Sequence, residues 1–221
     1  MSEESKNINL FKNIQKFVIK NIKLIIIILI IIFILFIGFQ IFNYFKIQQV
    51  KKSSIIFFNS IQENQSDFSQ IENLLKSEGF FSILSKLKLI QKNNDDKNFS
   101  YSNELYKEII LSSKLDNLYK TSIAVNASYT LINASYEENT NNYLSDIAIY
   151  INNINDELDE YFSLKKELEF LLIITEIDLN KLEYKNNSKA LDKYNEIFSS
   201  SLVSASVKER VKKIHEFQLY N

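Results

Sequence analysis

The sequence has no cysteine, no proline and no tryptophan, and only two glycines and one histidine in 221 residues. Each absence closes off a class of function. Without cysteine there is no disulfide scaffold, no thiol catalysis and no zinc site built on thiolates. Gly38 and Gly79 alone cannot form a glycine-rich phosphate loop or a dinucleotide fingerprint. A single histidine, His215, cannot build a multi-histidine metal centre. Arg210 is the only arginine, and 26 basic residues against 27 acidic ones leave a net charge of −1, so the basic excess of a nucleic-acid binder is missing. The abundance of Ile, Asn and Lys reads as AT-rich codon usage, so counts of those residues carry no functional argument.

What the chain does have is one long oily run. From Leu24 to Phe45 it reads LIIIILIIIFILFIGFQIFNYF, with no charge. As a helix this run rises roughly 33 Å, enough to cross a hydrocarbon layer about 30 Å thick. β-Branched isoleucines do not argue against a helix there, because lipid leaves the backbone no other partner. Gln40 and Asn43 mark the polar end of the run, and Tyr44 and Phe45 suit an interfacial belt. The run exceeds the apolar core of a signal peptide, and Gly38-Phe39-Gln40-Ile41 offers no small-x-small cleavage site, so the reading is an uncleaved anchor.

Lys6, Lys12, Lys16, Lys20 and Lys23 precede the run, and Lys46, Lys51 and Lys52 follow it. That bias predicts a cytoplasmic N-terminus and an external C-terminal part. Leu10, Ile14, Phe17 and Val18 share one side of a helix, opposite the recurring lysines. A short amphipathic helix on an anionic inner leaflet and a simple charged lead-in both account for this pattern.

Beyond the anchor, helical spacing of Ile47, Val50, Ser54, Phe57, Phe58 and Ile61 carries the helix on to about Gln62, where Asn64-Gln65-Ser66-Asp67 breaks it. Helices are then expected at 68–77, ending at Ser77-Glu78-Gly79, and at 80–92, 100–112, 117–136, 143–153, 158–184, 189–199 and 203–219. The breaks between them are polar, notably 93–98, 137–142, Asn155-Asp156 and 185–188. No region alternates with period two, so strands are not expected.

The expected fold class is therefore all-α: a single transmembrane helix followed by a tetratricopeptide-like α-solenoid of antiparallel helix pairs. The parts are a cytoplasmic segment 1–23, a transmembrane helix 24–45, a helical extension 46–62 and a repeat domain 63–221. Two segments carry the repeat reading. After a polar break, Ser102, Tyr106 and Ile109 in the first segment match Ala190, Tyr194 and Ile197 in the second. A small residue, then Tyr and Ile one and two turns later, lie on one helix face. Ala124, Ala127, Leu131 and Ala134 form a small-residue stripe suited to close helix packing.

A lysine-rich start, one anchor running into an extramembrane helix, and the segments GFFSILSKLKLIQ, YSNELYKEI, LYKTSIAVNASYTL and NNSKALDKYNEIF together resemble the bacterial YfgM-like family. The resemblance implies a tetratricopeptide-like inner-membrane protein with a periplasmic domain near the Sec translocon, handling emerging proteins as a chaperone does.

No residue with reactive or ligating character belongs to a recognisable site. His215 lies near Lys208, Arg210, Lys212 and Lys213 but lacks a nucleophile, and solvated helix charges account for Glu209 and Glu216. Asn155-Asp156-Glu157-Leu158-Asp159-Glu160 lacks the spacing and glycine of a calcium loop and reads as a helix N-terminus. The triplets starting at Asn64, Asn98, Asn126, Asn133 and Asn186 match the glycosylation pattern, as an Asn-rich chain does by chance. No catalytic, cofactor or metal residues are assigned. The expected partners are the membrane and other proteins: Sec translocon components, periplasmic chaperones or nascent chains. Nucleic acid and small-molecule substrates are not expected. The alternative is an assembly factor or a sensor-type component of another envelope complex.

Overall fold

The computed structural model describes residues 16–62, 69–75, 79–112, 115–157 and 159–220. Their regular structure is all helical, with no strand among the described residues. The Asn64–Asp67 break, most of the Ser77-Glu78-Gly79 turn and most of the stretch 8–20 lie outside them. After a helical stretch at 16–20, the chain divides into two compact units, the first ending at Asn59 and the second starting at Ser60.

The first unit is dominated by α1, Ile22–Gln62, a single helix of 41 residues. Its most apolar stretch has a mean hydropathy of 3.4 and no buried residue, and the helix is long and apolar enough to cross a membrane. Apolar residues on every side of a helix, with none packed inward, are what lipid requires and water penalises.

The second unit holds α2 (Ser69–Leu75), α3 (Phe80–Asp95), α4 (Phe99–Ile110), α5 (Asn117–Glu137), α6 (Leu144–Asn152), α7 (Asp159–Leu179), a 3-10 turn at Tyr184–Asn186, α8 (Ser188–Ser199) and α9 (Ala205–Tyr220). Each helix packs on the next. In addition α5 packs on α7, and α7 on α9. The long α7 joins two cores: Leu168 closes the first, which reaches back to Ile71, and Phe170, Ile173, Ile174 and Ile177 belong to the second.

The small-residue stripe explains how these helices come so close. Ala124, Ala127, Leu131 and Ala134 are all fully buried on α5, and Ser128 and Ser135 beside them return their hydroxyls to the carbonyls of Ala124 and Leu131 at 2.8 and 2.9 Å. Ser102, Tyr106 and Ile109 on α4 are likewise buried together. Ala190 and Ile197 on α8 are fully buried, with Tyr194 packed against their core. Ser102 Oγ donates to the Ile90 carbonyl of α3, so a hydroxyl, not a bulky chain, occupies the crossing of α3 and α4.

The helix ends depart from a glycine-based expectation in one respect. Lys97, Asn139 and Lys181 have φ of 59, 49 and 54°, the left-handed region normally given to glycine. Each closes its helix with the same pair of bonds: Asn98 N to Asn93 O and Lys97 N to Asn94 O, and the equivalents at Thr140 and Leu182. The cap at Lys181 ends α7 at Leu179, short of the 184 expected from hydrophobic spacing, and Tyr184 instead opens the 3-10 turn.

Two outcomes follow. Lys181→Gly removes the Cβ penalty at that cap and raises stability by about 0.5–1 kcal/mol after the entropy of the unfolded glycine is counted, read by thermal unfolding of the full chain in mild detergent. Ala127→Leu forces three extra heavy atoms of side chain into a filled helix crossing and lowers stability by about 1–3 kcal/mol in the same assay.

Candidate functional site

Three internal networks among the titratable and polar residues of the second unit tie its helices together. In the first, Asn103 of α4 donates to Asp146 of α6 at 2.6 Å, Lys107 pairs with the same carboxylate at 2.8 Å, and the fully buried Tyr150 donates to Asn103 Oδ1. In the second, the lone arginine Arg210 of α9 grips Glu167 of α7 through Nε and Nη2, and Tyr129 of α5 donates to the same carboxylate at 3.1 Å. Glu167 is only 3% exposed, so its charge is held by these partners and not by water. Burial, reinforced by the Glu167 charge, pushes the Tyr129 hydroxyl well above its ordinary range.

The third network contains His215. Its Nδ1 meets the Tyr184 hydroxyl, and its ring stacks on Tyr194 with centroids 3.8 Å apart and planes 17° apart. Burial pushes the Tyr184 hydroxyl up to about 12 and lowers the His215 imidazole below its usual value, with Glu216 opposing. Glu209 and Glu216 pair along the helix with Lys213 and Lys212 on the exposed side. The histidine thus sits in an aromatic clasp between the 3-10 turn, α8 and α9.

The acidic stretch before α7 is engaged locally. Asp156 pairs with Lys165 at 3.0 Å, whose ammonium holds its carboxyl below the usual range, and the Asn155 side chain accepts from Glu157 N. Three asparagines of the glycosylation-like triplets have structural partners: Asn98 donates to Asn93 Oδ1 at 3.1 Å, Asn126 accepts from Tyr106 at 2.6 Å, and Asn186 donates to Glu183 at 2.6 Å. Among the described residues no group of three His, Cys, Asp or Glu side chains is placed to hold a metal ion.

What remains is surface. An open cleft of about 410 Å³ runs between α3, the end of α4 and the start of α5, lined by Phe80, Ile83, Lys86, Ile109, Leu115 and Tyr119. Phe80 and Tyr119 are 61% and 60% exposed. Lys86 and Glu108 pair at 2.7 Å on its wall. Apolar walls with one ion pair suit an apolar or aromatic side chain from a partner, and the volume is that of a ligand-sized site. A second, polar cleft of about 300 Å³ lies over Asn94, Tyr106, Asn126 and Thr130. The spacing argument did not assign this surface. Adjacent apolar doublets are no signal for it, because Leu89-Ile90 and Ile109-Ile110 bury both members in one core; the cleft is set by how α3, α4 and α5 meet.

The chain matches no protein-family model, no curated protein and no solved structure.

Two measurements probe the networks. Arg210→Leu strips Glu167 of its main partner and costs about 2–4 kcal/mol in thermal unfolding, with Arg210→Lys recovering only part. His215 has a lowered folded pKa, so the unfolded chain binds the extra proton first. Stability is therefore fully present above about pH 6.5, falls as the pH drops through the folded value, and loses this dependence in His215→Phe, as unfolding midpoints between pH 7.5 and 5 will show.

Proposed function

We propose that this protein is a membrane-anchored interaction module, in which α1 spans the bilayer once and the helical unit binds other polypeptides by surface contact. The observation that carries the reading is the pairing, in one chain, of a helix whose most apolar stretch has no buried residue and a helical unit that leaves an aromatic cleft open to solvent. Support for a tetratricopeptide-like solenoid comes from the succession of neighbours: each helix meets the next, and the long α5, α7 and α9 also meet in series. The Ser/Ala–Tyr–Ile sets on α4 and α8, all buried but the partly buried Tyr194, fit the same repeat.

In this reading the N-terminus is cytoplasmic and the helical unit lies in the periplasm of a bacterial inner membrane, as the flanking lysines favour. The segments that resemble the YfgM-like family support the further proposal that it sits beside the Sec translocon and holds emerging or incoming envelope proteins without covalent chemistry. Confinement to the membrane raises the local concentration of the cleft, so weak contacts suffice.

The test is a photo-crosslinking residue at Phe80 or Tyr119 in living cells. Adducts with translocon subunits or nascent secreted chains are expected, and Leu115→Asp in the cleft wall reduces them about tenfold. Adducts confined to an unrelated envelope assembly contradict the translocon reading. External protease on spheroplasts digests the helical unit if the orientation is right; a protected unit contradicts it.

A further inference from the structure

Gln40 and Asn43 lie on one face of α1, at the outer end of its apolar run. Measured along the helix from Leu24, they stand roughly 24 and 29 Å in, at or inside the edge of a hydrocarbon layer about 30 Å thick. Gln40 is exposed and Asn43 partly so, and neither amide has a hydrogen-bond partner among the described residues. Elsewhere in the chain Asn21, Asn93, Asn153 and Asn180 each turn the amide back to the carbonyl four residues earlier. Asn43 does not. A carboxamide facing lipid without a partner is costly, and amides that meet across helices relieve that cost.

The two amides are part of a longer seam. Phe33, Phe36, Gln40, Asn43, Ile47 and Val50 follow one another at intervals of three and four, the spacing by which helices pair along a common stripe. The four apolar members are all more than half exposed. Ile47 and Val50 lie past the run, where water and headgroups reward their burial. Lys46 and Lys51 edge the stripe there, at a level where ammonium groups can meet lipid phosphates, which leaves the amides as the polar groups of the contact.

We propose that α1 pairs with α1 of a second copy of this chain, in parallel, through Gln40 and Asn43. A carboxamide carries both donors and an acceptor and so complements itself. Copies inserted in the same direction bring identical amides to the same depth, as a two-fold contact requires. A different partner would need its own amide at that level. This inference rests on α1 crossing the bilayer.

The test uses the full chain in its native membranes. Because the chain has no cysteine, single variants Ile47→Cys and Val50→Cys on the seam, and Gln48→Cys and Lys52→Cys off it, can be oxidised without background. Disulfide-linked dimer is expected at the first two positions several-fold above the second two. Adding Gln40→Leu with Asn43→Leu lowers it roughly three- to tenfold, whereas Gln40→Asn with Asn43→Gln retains most of it. Equal dimer at all four positions, or dimer unchanged by the leucines, overturns the pairing. So does a link to a protein of another mass, which assigns the seam to a different helix. Recovery of the chain in the soluble fraction overturns the bilayer reading itself, a result distinct from membrane-bound chain that fails to pair.

Discussion

In hydrocarbon no water accepts a hydrogen bond from a peptide group, so every N–H and C=O between Leu24 and Phe45 must be bonded within its own helix. That constraint makes a helix out of residues whose intrinsic propensity for one is modest, isoleucine above all. It also removes any need for an amphipathic face, and α1 accordingly has apolar side chains all round it and none packed inward along its most apolar stretch. On this reading the membrane acts as the solvent for the first unit, and the second unit need only be a water-soluble body attached to it.

The second unit solves the ordinary problem of burying apolar faces with unusual materials. It lacks proline, its one glycine is Gly79, and its branched and aromatic residues are bulky. Close helix crossings therefore fall to Ala and Ser: Ala124, Ala127 and Ala134 on α5, Ser102 on α4 and Ala190 on α8. Polar contacts then fix which helix meets which. Glu167 accepts from Tyr129 and Arg210, so one buried carboxylate ties α5, α7 and α9 together. Asp146 and Asn103 do the same for α4 and α6. A half-paired charge in such a place costs more than the pair gains, so these residues select one packing.

The long helices were legible because their apolar residues recur with helical period and polar clusters separate them. Phe80–Asp95, Asn117–Glu137 and Ser188–Ser199 fall within a few residues of expectation. The end of α7 was not legible, because its left-handed cap sits on Lys181 and a lysine carries no such signal. The tyrosines gave a mixed message. Tyr106 was placed on its buried face from spacing with Ser102 and Ile109, yet nothing in the sequence tells that its hydroxyl finds Asn126. The clasp of His215 by Tyr184 and Tyr194, and the grip of Arg210 on Glu167, join positions 21 to 43 residues apart, beyond the reach of any local pattern. The aromatic cleft was not legible, because it forms where α3, α4 and α5 meet and no local pattern marks it.

The central claim is that the chain is held in a bilayer by α1 and acts through the helical unit attached to it. Extraction of cell membranes with alkaline carbonate strips proteins bound at the surface and leaves those that span the lipid. The account predicts that the 26.0 kDa chain stays with the sedimented membranes, and that a variant with three aspartates in place of Ile28, Ile31 and Leu35 does not. Release of the unaltered chain into the supernatant would contradict it.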